Sequence, residues 1–183
     1  GTLVDLEKGI FFGIALSLVF YLYRTSRPVL EPVLPDSDPA SYHYTPLDGR
    51  PECPQIKMMR LNGSIFFGAV AHLQQQMQEL EETEPERKHL VVMASGINFV
   101  DLAGAEFLAE AARQRRKIGG SLSFYRMKDS LVDTLKEGHF LQDIGEENLF
   151  PAKTRPVETL YPKLDNEICR NCPVRAFTIC NQR

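Results

Sequence analysis

Apolar residues recur at different periods along this chain, and each change of period marks a segment. Gly9 to Tyr23 is an uncharged run, GIFFGIALSLVFYLY, between Lys8 and Arg24. A full membrane span needs about twenty apolar residues, so this run is too short to be a complete one. It is no signal peptide either, because its start carries Asp5 and Glu7 and its end lacks a small-residue cleavage site. Tyr21 and Tyr23 suit a membrane interface, and Arg24 and Arg27 suit the cytoplasmic side. The pattern reads as the exit of a membrane helix, against a buried core helix as the bland alternative. Residues 28–54 carry seven prolines and predict an extended, semi-rigid linker without helix or central strand.

Regular patterning starts at Gln55. Ile56–Leu61 predicts a strand, Asn62-Gly63 a hairpin turn and Ser64–Phe67 a second strand. Val70, Leu73, Met77 and Leu80 recur at helical spacing and predict an amphipathic helix ending near Glu82. Leu90–Ala94 is a short apolar run, the mark of a buried central strand. Asp101 opens a second helix. Ala105, Leu108, Ala109 and Ala112 form its apolar face, with Glu106, Glu110, Arg113 and Lys117 opposite, and Gly119-Gly120 closes it. Ser121–Tyr125 is another strand, and Asp129 caps a helix reaching Gly138. A short apolar edge at Leu149-Phe150 and a last helix from about Thr154 to Tyr161 complete the order β-β-α-β-α-β-α-β-α. Strands alternating with helices imply parallel crossovers in an α/β domain.

Composition narrows the function classes. The 183 residues suffice for one domain with extensions, and a net charge of −3 argues against a general nucleic-acid binder. Three of the four cysteines crowd the C-terminal end, unlike the spread of a secreted disulfide framework, so a reducing compartment fits. Neither a phosphate-binding loop nor a dinucleotide fingerprint is present. No nucleophile motif surrounds His43, His72, His89 or His139. The chain reads as a non-enzyme.

The stretch from Leu90 to Leu108, LVVMASGINFVDLAGAEFL, resembles the signature of the STAS domain, found in anti-sigma-factor antagonists and at the C-terminus of SulP anion transporters. The transporter branch fits better. Gly63–Ala69, Leu122–Tyr125 through Gly138, Ile144-Gly145 and Leu149–Pro151 are similar to that branch. Asp5–Ile10 with Ser26-Arg27-Pro28 resembles the end of the last transporter helix running into the linker. The resemblance covers roughly Asp5 to Tyr161. It implies an α/β STAS fold, a small mixed β-sheet with helices packed mainly on one face, preceded by a partial transmembrane helix and a Pro-rich linker.

The implied division is 1–27 for the end of the last membrane helix, 28–54 for the linker, 55–162 for the STAS domain and 163–183 for a cysteine-containing tail. The implied function is a cytoplasmic regulatory and interaction domain of a secondary sulfate or other inorganic-anion transporter, placed at the cell inner membrane. Its implied partners are the membrane domain of the same polypeptide, a second copy in a homodimer, and acyl carrier protein or a nucleotide, as in some family members. The competing readings are a soluble antagonist-like signalling protein and a metal- or redox-sensing module.

Three groups of residues are candidate sites. The first is the turn Asp101, Leu102, Ala103 and Gly104, read as a capped helix start serving as a regulatory contact. Antagonists of the family carry a phosphorylatable Ser where this chain has Ala103, which has no hydroxyl. A helix start attracts anions, but Asp101 already puts a negative charge there. The second is the basic cluster Arg113, Arg115, Arg116 and Lys117, a solvated helix end or a contact for anionic lipid or an acidic partner. The third is Cys169-Arg170-Asn171-Cys172 with Cys180, whose spacing suits zinc or an iron–sulfur cluster. Its missing fourth ligand is open between Cys53, one of the four histidines and a partner chain. A reduced tail with incidental cysteines is the alternative.

Overall fold

The computed structural model describes residues 2–182. Its first helix, α1 (Thr2–Thr25), stands apart and buries none of its residues. Phe12, Val19 and Phe20 are all more than 60% exposed. Its uncharged run is about 22 Å of helix at 1.5 Å per residue, against a hydrocarbon core of about 30 Å. No helix among the described residues is long and apolar enough to cross a membrane.

The proline-rich segment is not a spacer throughout. β1 (Val29–Pro35) and β2 (Tyr44–Pro46) pair antiparallel, and β1 also pairs antiparallel with β3 (Ile56–Ile65). The extended backbone expected from the prolines is therefore built into the sheet. Pro32 is tolerated because β2 reaches only Val33–Pro35, leaving Pro32 with a neighbour on one side.

The expected hairpin at Asn62-Gly63 is absent. A type I′ turn needs positive φ at both central residues, and of the two only Gly63 has it, at 131°. β3 instead runs on through a register shift at Gly63/Ile65. Its first part pairs with β4 (His89–Met93) and its second with β5 (Ile97–Val100), both parallel. A Cβ on Gly63 would stand 2.9 Å from the Pro28 Cβ. This glycine thus serves a bulge and a close approach rather than a turn.

The sheet order is β2-β1-β3-β4-β6-β7, with β6 at Ser121–Tyr125 and β7 at Leu149–Phe150. Alternation along the strands splits the core in two. Leu90 and Val92 join Leu122 and Phe124 under α2 (Phe67–Thr83), α3 (Leu102–Lys117), α4 (Asp129–Glu137) and α5 (Leu141–Ile144). Val91 and Met93 face the other way, toward Val157, Leu160 and Phe177. These belong to α6 (Pro156–Leu160) and to the tail, which includes α7 (Asn166–Asn171). The result is a mixed sheet with its helices mainly on one face. Asp129 is the first residue of α4 rather than its cap; Lys128 holds that position without a side-chain bond.

Two buried polar groups are built into the lower end of the sheet. Lys57, almost buried, pairs with Glu52 at 3.0 Å and Glu84 at 3.1 Å. Arg87 closes the square with Glu52 at 3.0 Å and with Glu84. Two charges of each sign satisfy one another there. His89 and Ser121 face each other across β4 and β6, with Nδ1 2.9 Å from Oγ.

Candidate functional site

The turn at Asp101 is held from several sides. Asp101 has extended backbone geometry and caps α3: its Oδ1 accepts from the Gly104 N–H at 2.8 Å. Its other oxygen accepts from the Phe67 N–H at 3.0 Å. Phe67 begins α2, whose own N-cap residue Phe66 offers no side-chain bond. One carboxylate therefore serves the starts of two helices, reaching from Asp101 to Phe67 across 34 positions of sequence. Local sequence reading finds the first bond and misses the second, because nothing near Phe67 points to a partner so distant.

The backbone reinforces this clamp. The Asp101 N–H donates to the Ile65 carbonyl at 3.2 Å, and the Ala105 N–H to the Asp101 carbonyl at 2.8 Å. A Cβ on Gly104 would lie 2.0 Å from the Ile65 carbonyl oxygen, so only glycine lets α3 approach the end of β3 this closely. The chain's own carboxylate takes up the Gly104 and Phe67 N–H groups and sets a negative charge where an anion would approach.

Around the clamp, large apolar side chains face outward. Phe67 is 77% exposed, Leu102 71% and Phe99 54%. Exposed apolar side chains grouped around one turn are a common feature of contact surfaces. Ala103 supplies no hydroxyl for phosphoryl transfer.

The basic cluster is divided between core and surface: Arg115 is buried, Arg113 is half-buried, and Arg116 and Lys117 are exposed. Arg115 is 1% exposed and donates from Nη1 to the Arg87 carbonyl at 3.0 Å, with Glu81 3.8 Å from Nη2. Burial pulls its pKa down. Arg113 is tied to Glu110 at 2.8 Å and Asp143 at 2.7 Å, and Arg116 donates to the Asp143 carbonyl. The expected lipid- or partner-contacting cluster fails for Arg115, which cannot reach lipid, and is weakened for Arg113 and Arg116, which are turned onto α5. The reason is geometric: Arg113, Arg116 and Lys117, at i, i+3 and i+4, lie on one side of α3, whereas Arg115 points to another.

A cleft of about 390 Å³ between residues 35–50 and the tail contains Arg50, Arg155 and Arg175. Arg50 bonds the Pro35 carbonyl at 2.8 Å, Arg155 bonds the Pro39 carbonyl and stacks on Tyr42, and Arg175 bonds the Cys180 carbonyl at 2.6 Å. Each guanidinium is thus engaged by backbone carbonyls, Arg50 within the linker, Arg175 within the tail, and Arg155 between the start of α6 and the linker. The His89–Ser121 pair is buried between strands, where a substrate has no access.

The cysteines come together more than the sequence suggested. Cys53, Cys169, Cys172 and Cys180 all line one small cavity, and none of the histidines does. Among the described residues, no three His, Cys, Asp or Glu side chains are drawn close enough as placed to hold a metal ion.

Residues 49–156 match the family model described as the STAS domain. Sulfate transporter 1.2 of Arabidopsis thaliana is 22% identical over 177 residues, covering 90% of this chain and 27% of that protein. The putative sulfate transporter YvdB of Bacillus subtilis (strain 168) is 21% identical over 149 residues, covering 81% and 26%. Among solved structures, the murine Slc26a9 anion transporter in its inward-facing state superposes with a TM-score of 0.68 at 18% identity, covering 86% of this chain and 26% of that one. The chain thus spans about a quarter of the length of the relatives it matches.

Proposed function

Because the chain belongs to the STAS domain family, we propose that it is the non-catalytic regulatory and interaction domain of an inorganic-anion transporter, with sulfate as the first candidate substrate. One observation carries the reading: the similarity to a sulfate transporter runs over 90% of the chain, well beyond the matched domain. It therefore includes residues outside the fold shared with signalling proteins. The exposed apolar α1 supports it too, since a helix apolar all round requires cover from lipid or other helices. In this reading α1 is the end of the last membrane helix, completed and covered by segments of a longer polypeptide, and the domain lies on the cytoplasmic side of the membrane. Residues 28–54 join the two. The clamped turn, with Phe67, Phe99 and Leu102, docks the domain against the membrane body.

The test is uptake of labelled sulfate by cells that lack their own uptake and express the full polypeptide encoded at this locus. The expected result is sulfate uptake, and a lower rate with Leu102→Asp at an unchanged amount of protein in the membrane. A coding region without further apolar helices upstream, or no transport of any inorganic anion tested, would overturn the reading.

A further inference from the structure

All four cysteines of the chain converge on one cavity although they come from three places: Cys53 before β3, Cys169 and Cys172 at α7, and Cys180 in the last turn of 3-10 helix. The cavity is about 20 Å³, room for one water-sized body and too small for a cluster of several irons. Its other walls include Gln55, Leu164 and Arg175.

The surroundings of the sulfurs suit thiolates. Backbone N–H groups of Gln55 and Ile56 point at the Cys53 sulfur, the Gln55 one at 3.4 Å. The Gln55 side-chain amide donates to the Cys169 sulfur at 3.3 Å. Neutral thiols are weak acceptors, so donors gathered around sulfur favour the anion.

The tail is lightly anchored: Gln55 exchanges hydrogen bonds with the Asp165 backbone, and Cys169, Ala176, Ile179 and Cys180 are partly buried against the core. α7 and the final 3-10 turn bury no residue of their own, and helices this short do not hold themselves. Leu164 and Phe177 are the buried apolar anchors of the stretch that follows Lys163.

We propose that Cys53, Cys169, Cys172 and Cys180 form a four-thiolate site for one soft divalent ion of the zinc class, which clasps the C-terminal tail onto the chain just before β3. The sequence supplies three ligands at C-x₂-C-x₇-C spacing, and the fold supplies the fourth. Binding releases the thiol protons to solvent and leaves a site of charge −2, offset in part by Arg175 at the cavity wall. Closing a zinc tetrahedron needs sulfurs about 3.8 Å apart, from metal–sulfur bonds of about 2.3 Å. The sulfurs stand around the cavity without yet making that figure. Cys169 and Cys180 pack at the edge of the core and are only partly buried, so drawing the sulfurs in shifts the rim of the core and not its centre. Ion binding then becomes folding energy for the tail. This inference is independent of the transport reading.

The test uses the full chain in detergent, kept reduced and anaerobic, stripped with a chelator and given Co²⁺ or Zn²⁺ alone. One ion per chain is expected, with the intense sulfur-to-cobalt absorption of a tetrahedral thiolate site that Zn²⁺ bleaches. Cys53→Ser and Cys172→Ser each weaken Zn²⁺ binding at least about 100-fold, more than loss of a supporting second-sphere contact costs. His43→Ala changes nothing. In the unmutated chain, which avoids any folding defect, Zn²⁺ slows amide exchange over residues 166–182. No retained ion, Cys53→Ser binding like the parent, a disulfide among these cysteines that forms in place of metal binding, or tail exchange unchanged by Zn²⁺ would each overturn the proposal.

Discussion

Replacing Asp101 by Ala removes a carboxylate that two helices share. The bond to the Gly104 N–H is an N-cap, part-buried, and such caps contribute about 1–2 kcal/mol. The bond to the Phe67 N–H is exposed and adds about 0.5–1 kcal/mol as a net hydrogen bond. The expected loss is therefore about 2 kcal/mol, or about 4–8 °C in Tm for a domain of this size. Asp101→Asn separates the two contributions. Its remaining carbonyl keeps the Gly104 bond, while its amide turns a donor toward the Phe67 N–H, so about half the loss is expected. The assay is urea unfolding of residues 28–183, with hydrogen exchange read at the Phe67 and Gly104 amides. Faster exchange at both is expected in the Ala variant and at Phe67 alone in the Asn variant. An Ala variant within about 0.5 kcal/mol of the parent, the usual range for plain surface substitutions, would refute the shared cap.

Gly104→Ala places a methyl group 2.0 Å from the Ile65 carbonyl oxygen, so a loss of about 3 kcal/mol or more is expected in the same assay. Lys57→Met leaves Glu52 and Glu84 facing Arg87 alone, an uncompensated negative charge at a nearly buried site. A loss of about 3 kcal/mol should appear in urea melts. His89 has its pKa lowered by burial and then by Lys163, Lys88 and Arg115, so between the folded and unfolded values the unfolded chain binds the extra proton. Its contribution is full above about pH 6.5 and is lost as pH falls through the folded value. His89→Gln should flatten that part of a stability–pH curve, and a curve of unchanged slope would count against the assignment. Deleting residues 1–27 removes exposed apolar surface and no core, so the shortened chain should stay in solution without detergent and unfold cooperatively.

The parts of the fold that announce themselves in sequence are those governed by local periodicity. α3 and β6 fall where Asp101–Lys117 and Ser121–Tyr125 place them, because a cap, a 3.6-residue apolar stripe and a glycine stop are all encoded within one element. What escapes is set by distant pairing. β1 looks like a linker because its prolines forbid a central strand, yet a strand with one neighbour at Pro32 tolerates them. Asn62-Gly63 looks like a hairpin because the dipeptide fits a type I′ turn, yet β5 offers β3 a partner beyond it. Arg115 looks solvated because it sits among bases, and only the position of Arg87 shows that it is swallowed. At the turn itself, Asp101, Ala103 and Gly104 were legible. The outward apolar trio was not, since Phe67 joins Phe99 and Leu102 only through the fold.

In the proposed function, this turn is the face by which the domain meets a transporter body. Site-specific photo-cross-linking in the full polypeptide puts that contact to the test. A photoreactive phenylalanine at Leu102 should couple to membrane-embedded segments of the same polypeptide or its dimer partner. The same group at Glu86, exposed ahead of β4 at the opposite end of the sheet, should not. Coupling from Glu86 but not from Leu102, or from neither, would contradict the claim.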